Sequence, residues 1–193
     1  EIPKESFSVT SEDIEYEMCV AEGECSYINA VLTAFLRKFV VWAIDYQALF
    51  LHSALVNVGG IGIAFSAPSG TGKTTHMRLW QKMLGEKLSI VNGDKPIVRF
   101  FENEKYPIGY GTPWNGKEKY GNNSKVPIRH LCFIERAEKN SCERVESKQI
   151  LELCFNQIYI PKNSALNILN TLNLADSFLK KVDVWIIKCN MDI

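Results

Sequence analysis

Net charge is the first thing this sequence lacks: 22 Lys and Arg stand against 22 Asp and Glu in 193 residues. Nothing global therefore favours nucleic acid or an acidic membrane surface, and neither is expected as a partner. Long apolar runs are missing too. The most apolar stretch of the first third is broken by Arg37-Lys38, so no segment is expected to span a bilayer. No secretory signal pattern opens the chain, and its first residue is Glu rather than Met, as at an internal start. Six cysteines (19, 25, 132, 142, 154 and 189) contain no C-x-x-C, and no His lies at zinc-ligand spacing from them. They carry no zinc-ligand pattern and read as structural. A disulfide framework is not expected in a chain large enough for its own core. Cys132 and Cys189 sit in apolar runs and read as small hydrophobes, reduced and cytoplasmic. No internal repeat, low-complexity tract or linker divides the chain. With 46% apolar residues, 1–193 reads as one domain.

What is present centres on Ala67-Pro68-Ser69-Gly70-Thr71-Gly72-Lys73-Thr74. An apolar run, Ile61-Gly62-Ile63-Ala64-Phe65, precedes it, and a helical pattern from His76 to Leu84 follows. Strand, glycine-containing loop, Lys-Thr and helix in that order are the context of a phosphate-binding loop. Backbone N–H groups and the helix N-terminus would take phosphate oxygens. Lys73 would reach the β- and γ-phosphates and the Thr74 hydroxyl a metal. Ala67 replaces the usual first glycine.

Elsewhere the pattern is α/β. Residues 11–17 are acidic and weakly periodic, an edge strand or a loose segment. Apolar positions from Ile28 to Ala43 recur at helical spacing. Residues 48–58 read as one strand, Gly59-Gly60 as a hairpin turn, and 61–67 as the return strand into the loop. A hairpin feeding a phosphate loop implies a mixed sheet. Residues 88–91 form a short strand, and 97–101 with 106–110 a second hairpin. Residues 111–126 are a polar, glycine-rich loop, long enough to suggest function. Residues 126–135 return to strand, 147–159 and 164–180 to helix, and 182–189 close the sheet.

Four features carry chemistry. Asp94, after an apolar strand downstream of the loop, has the placement of a metal-binding acid. His52 lies on the strand paired with the loop-bearing strand, where imidazole could take a proton from an attacking hydroxyl. His76 and His130 have weaker claims; His76, on the first turn after the loop, is expected to face solvent. Lys117, Lys119 and Lys125 of the long loop could neutralise a transferring phosphoryl group, with Lys119 the one expected merely to be solvated. Trp114 could stack on a base or substrate. No N-K-x-D guanine motif is present, which removes the best support for a GTPase.

Together, His52-Ser53-Ala54, Gly59-Gly60-Ile61-Gly62 and Ala67–Thr75 resemble the kinase core of HPr kinase/phosphorylase and of ATP-dependent phosphoenolpyruvate carboxykinase. Asn92-Gly93-Asp94 falls where those families carry an acidic, metal-associated turn. Asn123-Ser124-Lys125-Val126-Pro127 is similar to their basic residue before a strand. Asn92–Pro96, Gly111–Lys117 and Cys189–Asp192 look like a smaller bacterial branch of HPr-kinase-like serine kinases associated with peptide gene clusters. The resemblance implies the mixed-sheet fold of the C-terminal HPr kinase domain. It implies an ATP- and Mg²⁺-dependent kinase acting on a hydroxyl, a serine of a peptide or protein. Ser69, Gly70, Thr71, Gly72, Lys73, Thr74 and Thr75 would hold the nucleotide, and Thr74 and Asp94 the metal. His52 or Asp94 would be the base, with Lys125 and Lys117 on the phosphoryl group. A homo-oligomer is compatible with it. HPr kinases carry two adjacent acids at the turn, and here the first is Gly93. Neither the dephosphorylation signature nor the carboxykinase's extra ligands is visible. A small-molecule kinase, a nucleotide hydrolase and a nucleotide-binding module without turnover remain the rival readings.

Overall fold

The computed structural model describes residues 6, 8–21, 25–145, 150–161 and 163–190. Thr10 starts the first helix, α1 (Ser11–Val20), with a capping box: its hydroxyl accepts from the Asp13 N–H, and the Asp13 carboxylate accepts from the Thr10 N–H. The acidic stretch is therefore helical, not an edge strand or a loose segment. Ser26 caps α2 (Tyr27–Asp45). Arg37 of α2 bonds Asp13 at 3.0 Å and Glu17 at 2.7 Å, and Lys38 reaches Asp13 at 2.5 Å, so two cations on α2 hold two acids of α1. By length and composition α2 is apolar enough to cross a membrane, which corrects the expectation that no segment is. Its Ala30, Ala34, Leu36, Val40, Ala43 and Ile44 are buried within the fold.

The run 48–58 is two strands, β1 (Ala48–Phe50) and β2 (Ser53–Val58), broken at Leu51-His52. Gly59-Gly60 turns β2 into β3 (Ile61–Ser66), with Val58 opposite Ile61. Then come α3 (Lys73–Leu84), β4 (Leu88–Asn92), β5 (Ile97–Arg99) and β6 (Ile108–Tyr110). Next are β7 (Lys125–Arg136) and β8 (Ser141–Arg144), the latter without a signal in the sequence. Of the helix expected over 147–159, the first three residues lie outside the described ones. The described part is α4 (Ile150–Phe155). Ser164 caps α5 (Ala165–Lys181), and β9 (Asp183–Cys189) closes the chain.

The nine strands form one mixed sheet in the order β1-β5-β6-β7-β3-β2-β4, with β9 also on β7 and β8 on β9. β3 runs parallel to β7, and β2 runs antiparallel to both β3 and β4. The period-2 alternation of β2 and β3 divides the core. Leu55 and Ala64 face the side of Phe178 and Leu174 of α5; Val56 and Phe65 face Met77 of α3. Leu55 is fully buried, so Leu55→Ala is expected to cost about 2–5 kcal/mol in urea unfolding. Met83→Ala, at a side chain 82% exposed, should change it by less than about 0.5 kcal/mol.

Candidate active site

β3 delivers the chain into the loop at Ala67, which is buried, and Pro68, Ser69 and Gly70 emerge exposed. Gly72 stands at the N-cap of α3 with φ +121°, a conformation closed to residues with a Cβ. No side chain caps α3, so its first N–H groups are left for a ligand. Lys73 begins the helix nearly buried, and its ammonium donates to the Ala67 carbonyl at 2.8 Å. The residue at 67 thus acts through its carbonyl, which any amino acid supplies. Arg136, ending β7, donates to the Gly70 carbonyl at 2.7 Å and braces the loop from outside.

The sheet brings three groups from distant sequence together. Because β2 is antiparallel to β3 and β4, its start lies beside the ends of both. His52 precedes β2, Lys73 follows β3, and Asp94 follows β4. His52 Nε2 is 3.1 Å from Lys73 Nζ and 3.3 Å from Asp94 Oδ1. The backbone enforces this. The His52 N–H donates to Gln157 O at 2.6 Å, Ser66 Oγ donates to His52 O at 2.8 Å, and the Ser53 N–H donates to Asp94 O at 2.9 Å. Nε2 can serve one neighbour at a time: protonated it donates to Asp94, unprotonated it accepts from Lys73. Burial pushes the Asp94 pKa up, but the bonds from His52 and Lys95 outweigh it and hold the carboxyl at about 2. Burial lowers the Lys73 pKa, with Asp94 opposing and Lys95 reinforcing.

These groups line a cleft of about 570 Å³ with Thr74, Thr75, Lys95 and Lys117. Its other wall is the long loop. Asn92, fully buried, accepts from the N–H groups of Asp94 (2.9 Å) and Lys95 (2.7 Å) and donates to Thr112. The Gly93 N–H donates to Tyr120 O at 2.7 Å, and Arg78 of α3 grips Glu118 and Tyr120. A Cβ on Gly93 would lie 2.7 Å from Asn115 O and 3.0 Å from Tyr120 O. The loop packs where a second acidic side chain would stand.

Of the residues anticipated from sequence, His52, Ser69, Gly70, Gly72, Lys73, Thr74, Thr75, Asp94 and Lys117 all line this cleft. Thr71 does not; its N–H closes a turn on Pro68 O. Lys125 is a correction. It opens β7 opposite Tyr110 and lines a separate groove with Glu102 and Glu104; β7 runs parallel to β3, so its start lies at the strand end opposite the phosphate loop. Trp114 packs on Phe39 and Phe50 and donates to Leu32 O at 3.2 Å, so its ring belongs to the core edge. His76 is half-buried against Phe65 and Trp80, not solvent-facing, and burial lowers its pKa. Lys95, bonded to the second oxygen of Asp94, and Arg136 are not anticipated as site residues; Arg136 belongs to no motif, and Lys95 lies within the Asn92–Pro96 stretch without a role of its own there. Among the described residues no cluster of three or more His, Cys, Asp or Glu could hold a metal ion.

No protein-family model and no curated protein matches the chain. Among solved structures, the Hpr(Ser) kinase/phosphatase from Coxiella burnetii aligns with 68% of this chain and 91% of its own, at 12% identity and a TM-score of 0.36. The likeness is distant.

Asp94 gives a pH signature. Its folded pKa of about 2 lies below the ordinary 3.8, so its stabilisation is complete well above pH 4 and is lost as pH falls through about 2. The wild type should exceed Asp94→Asn by about 2 kcal/mol at neutral pH in urea unfolding, a gap that closes between about pH 4 and pH 2. A gap independent of pH would contradict the ionised pair.

Proposed function

We propose that this protein binds MgATP in the cleft of Lys73 and transfers the γ-phosphoryl group to a hydroxyl, a serine of a peptide or protein. The observation that carries the reading is the meeting of His52, Lys73 and Asp94 at the mouth of a glycine-containing loop. Each group alone has an ordinary structural explanation. Their convergence on an uncapped helix N-terminus is what phosphoryl transfer needs: positioning and charge neutralisation.

Ser69–Thr75 would receive the phosphates. Lys73 would exchange its contact with His52 for the β- and γ-phosphates, and Lys117 on the loop wall adds positive charge. Thr74 and Asp94 fit Mg²⁺. An ionised carboxylate and a hydroxyl share the cleft, and this metal takes few protein ligands beside phosphate oxygens and water. The ion would neutralise charge on the transferred group. Asp94, held low and bonded on both oxygens, suits the metal side better than proton abstraction. His52 Nε2, released by Lys73, would take the proton of the acceptor hydroxyl. Asp94 at 3.3 Å would stabilise the imidazolium. The acceptor oxygen bonds to Pγ, the bond from Pγ to the bridging oxygen breaks, and ADP leaves.

Transfer of labelled phosphate from ATP to serine-bearing peptides tests this. Lys73→Ala should lower the rate by at least about 100-fold. Undiminished transfer by that variant would overturn the proposal. His52→Ala should reduce kcat by about 10²–10⁴ with little change in the KM for ATP. A loss confined to KM would remove His52 from the chemistry.

A further inference from the structure

A second cleft, of about 920 Å³, meets the first at His52 and Ser69. Its remaining walls come from the opening of the loop (Ala67, Pro68), the ends of β7 and β9, β8 and α4 with the residues after it. We propose that this cleft is the acceptor site, and that it holds an extended polypeptide segment whose residues beside the hydroxyl are uncharged or basic. The inference rests on the phosphoryl-transfer reading above.

The direction of the loop supplies the first argument. Running from β3 to α3, the Thr74 and Thr75 end lines only the first cleft, while Ala67 and Pro68 line only the second. A triphosphate bound with its metal at Thr74 would carry its terminal phosphoryl toward Lys73 and on to His52, which lines both clefts. In-line transfer brings the acceptor oxygen from the side opposite the leaving bridge oxygen, which is the side of the second cleft. A hydroxyl entering there meets His52, which takes its proton as the new O–P bond forms and ADP departs from the first cleft.

Charge supplies the second argument. The first cleft sets Lys73, Lys95 and Lys117 against Asp94 and Glu118, the latter paired with Arg78, and this positive excess suits phosphates. The second holds Glu135, Glu143 and Lys188; Lys188 pairs with Glu143 at 3.0 Å, which leaves Glu135 in excess. That field disfavours carboxylate- or phosphate-bearing acceptors. Phe133, Leu153 and Ile186 give the cleft an apolar wall, and Asn156 gives it an amide. Among the described residues β8 pairs with β9 alone, so the strand carrying Glu143 offers a free edge to an extended chain.

The test uses the full chain, MgATP and three sets of probes. These are serine hexapeptides flanked by Leu, by Lys or by Asp, free serine, and glycerol 3-phosphate. Phosphorylated products are read by mass spectrometry, and MgATP binding and hydrolysis are measured alongside. Leu- and Lys-flanked peptides should react at least about tenfold faster than Asp-flanked peptides or either small molecule. Glu135→Lys and Glu143→Lys should each narrow or invert that preference. Equal rates for all probes, a preference for acidic or small acceptors, or a preference untouched in both variants would overturn the acceptor assignment. So would transfer to no probe while MgATP is bound. If MgATP itself does not bind, the nucleotide reading fails first.

Discussion

The antiparallel placement of β2 between β3 and β4 is the constraint on which the site depends. Two parallel strands carry their loops out at the same end of a sheet, but a strand between them running the same way would begin at the opposite end. Because β2 runs against both, its first residues sit between the two exits. His52 is held there by a carbonyl from after α4, a hydroxyl from β3 and the backbone beside Asp94. A hairpin turn of two glycines makes this possible. The same chain that leaves the site along β2 returns to it along β3, bringing the loop and Lys73.

Charge accounts for the rest. Lys73, Asp94 and Lys95 are all largely shielded from water, a situation that is unfavourable for isolated ions and tolerable only when they are paired and hydrogen-bonded. They form a chain in which the Ala67 carbonyl holds Lys73, Lys95 holds Asp94, and His52 Nε2 between them bonds Lys73 or Asp94 according to its proton. Under the proposed function, phosphate oxygens would replace His52 on Lys73, and a metal would replace Lys95 on Asp94. The imidazole between them changes partner with its proton, so binding at one end of the chain alters what His52 can accept at the other.

Much of this was legible in the sequence, and for identifiable reasons. The loop, the hairpin and the Asn92-Gly93-Asp94 turn are local patterns, and the structure forms all three. The break at Leu51-His52 was hidden because residues on both sides are apolar and extended; only the bond of the His52 N–H to Gln157, far along the chain, reveals it. The acidic helix α1 was misread because its order comes from a cap and from Arg37 and Lys38 on another helix, not from its own periodicity. Lys125 and Trp114 belong to a polar loop that reads as one site, yet Lys125 pairs into the sheet opposite Tyr110 and Trp114 packs on α2. Gly93 reads from sequence as a lost acid. In the structure it is the point where the loop lies too close for any side chain, which leaves Asp94 as the acid of that turn.

The central claim is that the cleft around Lys73 is a metal-dependent triphosphate site. Titration calorimetry of ATP into the protein, with Mg²⁺ and then with the metal chelated, tests it most directly. The account predicts one saturable site, weakened at least about tenfold without Mg²⁺, since Thr74 and Asp94 then lose the ion that joins them to the phosphates. No saturable heat, or binding of equal strength with and without the metal, would contradict it.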